Sequence, residues 1–155
     1  MANPYLIAGG CFGLTGVLFG ALGAHSIAQR LSETALGTWQ TAVLYQLVHA
    51  LVLVSIGLFL AFSRRQRKRA YNSSDVAADP DGRKRARAKA MAHQARALKI
   101  AGLALVLGII LFSGSLYLLA LGGPTLLGPV TPIGGLSFMV GWLAIIVAGS
   151  IRIND

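Results

Sequence analysis

Four long stretches of the chain are almost purely apolar, and the polar residues gather between them. The stretches run over residues 4–24, 39–62, 100–121 and 133–151 and contain no Asp, Glu, Lys or Arg. A helix rises about 1.5 Å per residue and the hydrocarbon layer is about 30 Å thick, so about 20 apolar residues make one crossing. Each stretch has that length, the fourth if it is little tilted. None shows the strict alternation of a barrel strand. The pattern therefore predicts four transmembrane helices, with Pro4 in a first helical turn, where its missing N–H costs nothing.

Charge adds an orientation. Of 155 residues 55% are hydrophobic and only 12% charged, yet the net charge is +9. Twelve of the fourteen basic residues lie between residues 63 and 99, with Asp75, Asp79 and Asp81, while elsewhere Arg30 and Arg152 balance Glu33 and Asp155. The positive-inside rule places this loop in the cytoplasm, both termini beside it, and residues 25–38 and 122–132 outside. A typical soluble enzyme, a disulfide-stapled secreted domain and a disordered polyelectrolyte are excluded by this composition. Cys11 stands alone, so no intrachain disulfide forms, and it reads as a small buried apolar residue. No basic residues precede the first span, so a cleaved signal peptide is not expected. The fold class is an all-α membrane protein: a single domain over 1–155, a four-helix transmembrane bundle with a cytoplasmic basic helical hairpin between spans two and three. A bacterial inner membrane is the expected location.

Within the loop, Arg64, Arg65, Arg67, Lys68 and Arg69 continue span two into water and are placed to meet lipid headgroups. Such attraction is worth about 1 kcal/mol per basic residue near the surface. Residues 72–82 read as a connector, with Asp79-Pro80 as N-cap and first helical residue. Residues 83–97 are rich in Ala, Arg, Lys and Gln, which predicts a helix running on into span three. Membrane lipids are the expected partners. A second copy of the chain or a subunit of a membrane complex is the alternative, and without interleaved aromatics nucleic acid is not expected. On the outer side, residues 27–37 read as a short interfacial helix, Trp39 as a headgroup-level anchor, and the apolar, proline-rich segment 122–132 as a cap over the bundle mouth.

Glycine and polar residues supply the candidate chemistry. Gly9, Gly13, Gly16, Gly20 and Gly23 recur at spacings of four and three and fall on one stripe of span one. Gly134, Ser137, Gly141, Ala144 and Ala148 make a similar stripe on span four. Lipid gives helices no hydrophobic reason to associate, so close backbone approach at small residues drives packing. The two stripes are expected to pack on each other, within one protomer or between two. Tyr45, Gln46 and His49 share a face of span two, Ser113 and Tyr117 share a face of span three, and His25 ends span one. Together they read either as an outer-half polar pocket for a small molecule or as hydrogen bonds tying helices together. His25 and His49 differ in depth by about 15–18 Å, too much for the two axial ligands of one haem. Metal-ligand spacings, phosphate loops, nucleophile elbows and paired catalytic carboxylates are absent from the sequence, so no metal, no cofactor and no catalytic residues are expected.

The motifs Gly20-Ala21-Leu22-Gly23-Ala24-His25 and Thr41-Ala42-Val43-Leu44-Tyr45-Gln46-Leu47-Val48-His49-Ala50 closely resemble the first half of the YgdD family, whose eukaryotic members are called transmembrane protein 256. Phe112-Ser113-Gly114-Ser115-Leu116-Tyr117 and Leu127-Gly128-Pro129-Val130-Thr131-Pro132-Ile133-Gly134-Gly135 resemble its second half. The resemblance implies a small four-span membrane protein of a domain-of-unknown-function family, with no established reaction, ligand or cofactor. It also implies a shorter connection between spans two and three, so the basic segment is an elaboration. The leading functional expectation is a non-enzymatic accessory or scaffolding subunit packed through glycine-rich faces. The alternative is a binding or transport module holding a lipid or quinone in the polar pocket.

Overall fold

The first helix starts where Asn3 and Pro4 make it start. The Asn3 side-chain oxygen accepts a hydrogen bond from the Leu6 N–H, and Pro4 opens the first turn. The structure, a computed structural model, describes residues 2–71 and 82–152, leaving aside the side chains of 67–71 and 84. Helix α1 (Pro4–Leu22) runs on through a π-helical turn, Gly23–Ile27. After a short turn, Ser32 accepts from the Ala35 N–H and Glu33 sits in the first turn of α2 (Glu33–Tyr71), where both favour the N-terminal dipole. Helix α3 (Arg83–Gly108) passes into a second π-helical turn, Ile109–Ser113, and then into α4 (Gly114–Ala120), so one continuous rod makes the third span. A 3₁₀ turn, Thr125–Leu127, leads to α5 (Val130–Ser150). Four of these helical rods are long and apolar enough to cross a membrane: Pro4–Ile27, Glu33–Gln66, Arg85–Ala120 and Thr125–Ser150.

Burial is unequal. In the apolar windows of the second and third spans 39% and 44% of residues are buried, against 17% in each of the first and fourth. Helices α2 and α3 thus form the centre, α1 lies chiefly on α2, and α5 lies chiefly on α3 and its π turn. The core is built from Leu53, Ile56, Leu60, Leu98, Ala101, Leu105, Ile109 and Phe138, with Ala148 at one end. A second cluster of Trp39, Ala42, Tyr117 and Ala120 closes the opposite end.

The glycine stripes do pack tightly, but not on each other. A Cβ at Gly9 would lie 2.9 Å from the Ala50 carbonyl oxygen, and one at Gly16 would lie 2.7 Å from Leu47 Cδ2. Gly20 faces Val43 and Gly23 faces Trp39, so the first stripe is spent on α2. Gly134 meets the Phe112 backbone and Gly141 meets Leu105, so the second is spent on the third span. Gly13 has nothing within 4 Å and takes no part in the seam. A glycine missing from both stripes matters as much. At Gly57 an added Cβ would sit 2.8 Å from the Leu6 nitrogen, and this close approach lets the Asn3 side-chain amide donate 2.6 Å to the Gly57 carbonyl.

Several boundary expectations are corrected. No separate interfacial helix spans residues 27–37: Ile27 ends the π turn and Glu33–Gly37 belongs to α2. The segment 122–132 is not a lid. Gly122, with φ 82°, and Gly123 close the third span by donating to the Leu119 and Leu118 carbonyls, and Leu126 then stands 80% exposed. Pro132 sits inside the first turn of α5, where proline is tolerated. Cys11 is exposed on the apolar flank of α1 rather than buried. At the basic end, α2 continues through Arg64 and Arg65, both exposed, and α3 is helical from Arg83, as the composition predicts. The side chains of Arg67, Lys68 and Arg69, and the Asp79-Pro80 pair, lie outside the described residues. Gly82, with φ 63°, occupies the position that caps α3.

Candidate functional site

The polar side chains of span two face two ways and meet two separate sets of partners. Gln46, 3% exposed, turns toward α1 and α4. Its amide nitrogen donates to the Phe12 carbonyl and to Thr15 Oγ1, each at 2.8 Å, and its oxygen accepts from the Tyr117 hydroxyl at 2.9 Å. One amide thus ties three helices, and Thr15 in turn donates to the Cys11 carbonyl of its own helix. Just above it Trp39, expected as a headgroup anchor, is a core residue. Its indole N–H donates 2.9 Å to the Phe19 carbonyl, and its ring packs with Phe19 and Tyr117 at centroid distances of 5.8 and 4.7 Å.

His49, one turn further along α2, belongs to the other network. Its Nδ1 lies 2.7 Å from the Tyr45 carbonyl oxygen, and the Trp142 indole N–H lies 3.2 Å from its Nε2. A carbonyl only accepts and an indole only donates, so the ring carries its hydrogen on Nδ1 and accepts at Nε2. Both nitrogens are committed. The imidazole face stacks on Phe138 at 3.7 Å between centroids, with an interplanar angle of 11°. Phe138 also closes on Gly108, where any side chain would collide with the ring.

The six residues expected in one pocket therefore separate. Gln46 and Tyr117 are bonded to each other, and His49 is held by the Tyr45 backbone. The Tyr45 ring is half-exposed against Phe112 at 4.5 Å, and among the described residues its hydroxyl meets no hydrogen-bond partner. Ser113 is fully buried at the end of the π turn, and its hydroxyl is also unpartnered among the described residues. His25 is exposed in the terminal turn of span one and joins neither network. Among the described residues no three of His, Cys, Asp and Glu come together as metal ligands would.

Thr15, Trp39, Phe138 and Trp142 were not among the expected site residues. Trp142 carried a signal: it sits mid-span, away from the headgroup belt that tryptophan favours, and an indole N–H at hydrocarbon depth needs an acceptor. Smaller hydroxyls stitch the remaining pairs. Ser115 and Thr131 share a 2.7 Å hydrogen bond between α4 and α5, and Ser137 donates to the Ala104 carbonyl at 2.8 Å.

Four apolar helices tied by internal polar networks define a small integral membrane protein of the α-helical bundle class. The chain belongs to the family described as "Protein of unknown function (DUF423)", which matches residues 19–78 and 85–135. It is 34% identical over 144 residues to a UPF0382 membrane protein of Staphylococcus haemolyticus, covering 93% of each chain. It is 31% identical over 144 residues to the UPF0382 membrane protein YwdK of Bacillus subtilis, covering 93% of this chain and 94% of that one. It is 34% identical over 149 residues to the UPF0382 inner membrane protein YgdD of Escherichia coli K12, covering 96% and 90%. The resemblance read from the motifs is thereby shown. No solved structure matches the chain. The family is one of unknown function, and the names of these relatives assign no reaction.

Proposed function

We propose that the chain is a non-enzymatic accessory or scaffolding subunit of an inner membrane, with the basic loop and both termini in the cytoplasm. The observation that supports this reading most is that the two buried polar side chains of span two, Gln46 and His49, spend their hydrogen bonds within the chain. Gln46 makes three hydrogen bonds and His49 two, all to groups of the same chain, which leaves neither free for substrate or proton. The twelve basic residues of the loop support the orientation, and the apolar flanks of α1 and α5 offer the surface for a membrane neighbour.

Tyr45 supports a second reading. Its hydroxyl, free among the described residues, stands beside an aromatic face made with Phe112 and opens toward lipid. A small amphipathic molecule such as a lipid or quinone would present its polar end there.

Crosslinking in native membranes, followed by mass spectrometry of the captured material, tests both readings. A crosslink to a second copy or to another membrane subunit is the expected result. A strictly monomeric protein with no captured neighbour would overturn the scaffold. A quinone or lipid photoprobe attached at Tyr45, lost in Tyr45→Phe, would favour the second reading.

A further inference from the structure

The first charged residue beyond the apolar run of span two is Arg64, and the last before that of span three is Lys99. The structure brings these two together. They rim a cleft between α2 and α3, with Ser63 beside them and Leu60, Met91 and Ala95 as its apolar wall. Arg64 and Lys99 are exposed, Ser63 is half-buried and Leu60 is buried, so the floor is dry and the rim is cationic. The Tyr5 hydroxyl donates to the Lys99 carbonyl at 2.9 Å, which sets an aromatic ring at the level of the cleft, as membrane boundaries favour. Below the cleft, Phe59, Phe62, Ile100 and Leu103 are exposed apolar side chains at the depth of acyl chains. Among the described residues the only carboxylate side chain is Glu33, at the opposite end of α2 from this rim.

We propose that this cleft seats the phosphate of one anionic phospholipid. Arg64 and Lys99 hold the phosphodiester from two different helices, the Ser63 hydroxyl is placed to donate to it, and the acyl chains run down the apolar flank below. Basic pockets between transmembrane helices recognise anionic headgroups in this way. The seat differs from general attraction of the basic loop to the surface, because it is local, has one lipid per chain and depends on two particular cations. It is independent of whether the protein is a scaffold.

The full chain, purified in mild detergent, is exposed to phosphatidylglycerol, phosphatidylcholine or inorganic phosphate and examined by native mass spectrometry and thermal melting. One phosphatidylglycerol per chain is expected to survive, with a raised melting temperature, while phosphatidylcholine and inorganic phosphate leave both unchanged. Arg64→Gln and Lys99→Gln each weaken the lipid adduct about fivefold, the effect of one surface charge. Arg65→Gln, on the same helix but outside the cleft, changes it less than about twofold, and Lys99→Arg retains it. Equal losses for Arg65→Gln and Arg64→Gln would mean diffuse attraction and overturn the seat. Retention of phosphatidylcholine at the same level would overturn headgroup selectivity. Displacement of the lipid by inorganic phosphate would make the ligand a soluble anion and overturn the lipid assignment.

Discussion

His49 and Trp142 meet halfway along their spans, where no water competes for either ring, and the geometry of that meeting fixes the tautomer of the imidazole. Hydrogen bonds between membrane helices are worth about 0.6 kcal/mol on average and up to about 1.7. Trp142→Phe, which keeps an aromatic side chain but removes the donor and part of the ring, is expected to destabilise the bundle by about 1 kcal/mol in an unfolding titration in mixed micelles. Tyr117→Phe removes a different donor, from Gln46, and is expected to cost a similar amount. The two losses should add, because the networks share no partner. Wild-type stability for both variants would show that these bonds contribute nothing to cohesion, and the structural account of the buried polar groups would fail with them. The polar residues of span two were legible as a group, since Tyr45, Gln46 and His49 stand out in an apolar run. Their division was not. Positions 46 and 49 sit about 60° apart around a helix, enough for one to face α1 and the other α5, and only the placement of the neighbouring helices decides it.

Elements are held together where side chains are missing. At Gly9 a methyl group would meet the α2 backbone, which has no freedom to yield, whereas at Gly13 it would meet empty space. Gly9→Ala is therefore expected to lower stability by about 1–3 kcal/mol. Gly13→Ala is expected to be neutral or to raise stability by up to about 1 kcal/mol through helix propensity. Thermal melts of the two variants in detergent check the contrast, and equal losses would refute the seam as drawn. The sequence spacing announced close approach at these glycines but not the neighbour, because a stripe of small residues fits any helix equally well. The same limit explains Trp39. A tryptophan at a span end usually anchors to headgroups, yet here Gly23 leaves room for its ring and the Phe19 carbonyl takes its N–H. The four spans themselves were readable because length and apolarity suffice for a crossing. The helix ends were not, since Arg, Lys and Gln propagate a helix as well as Leu does, and α2 runs nine residues past Phe62 to Tyr71.

At the scale of the whole molecule, the proposed orientation makes a prediction about sides. Reporter fusions at the C-terminus and within residues 72–81 are expected to report cytoplasm, and a fusion at Leu126, exposed in the turn between α4 and α5, the opposite compartment. The reverse result would place the basic loop outside and remove the support for the proposed topology. The packing pattern also divides the chain. Helix α1 rests on α2, and α5 rests on the third span, so each half is a helical hairpin of neighbours in sequence. The two halves meet in sequence at the basic loop, and the family match breaks between residues 78 and 85, at that same junction. Lengthening a loop costs about 0.6 kcal/mol per doubling, and at this junction it disturbs no contact inside either half. Insertions and deletions are therefore cheapest at this junction, which makes it the hinge in the protein's history: the place where relatives can differ in length while the two halves stay recognisable.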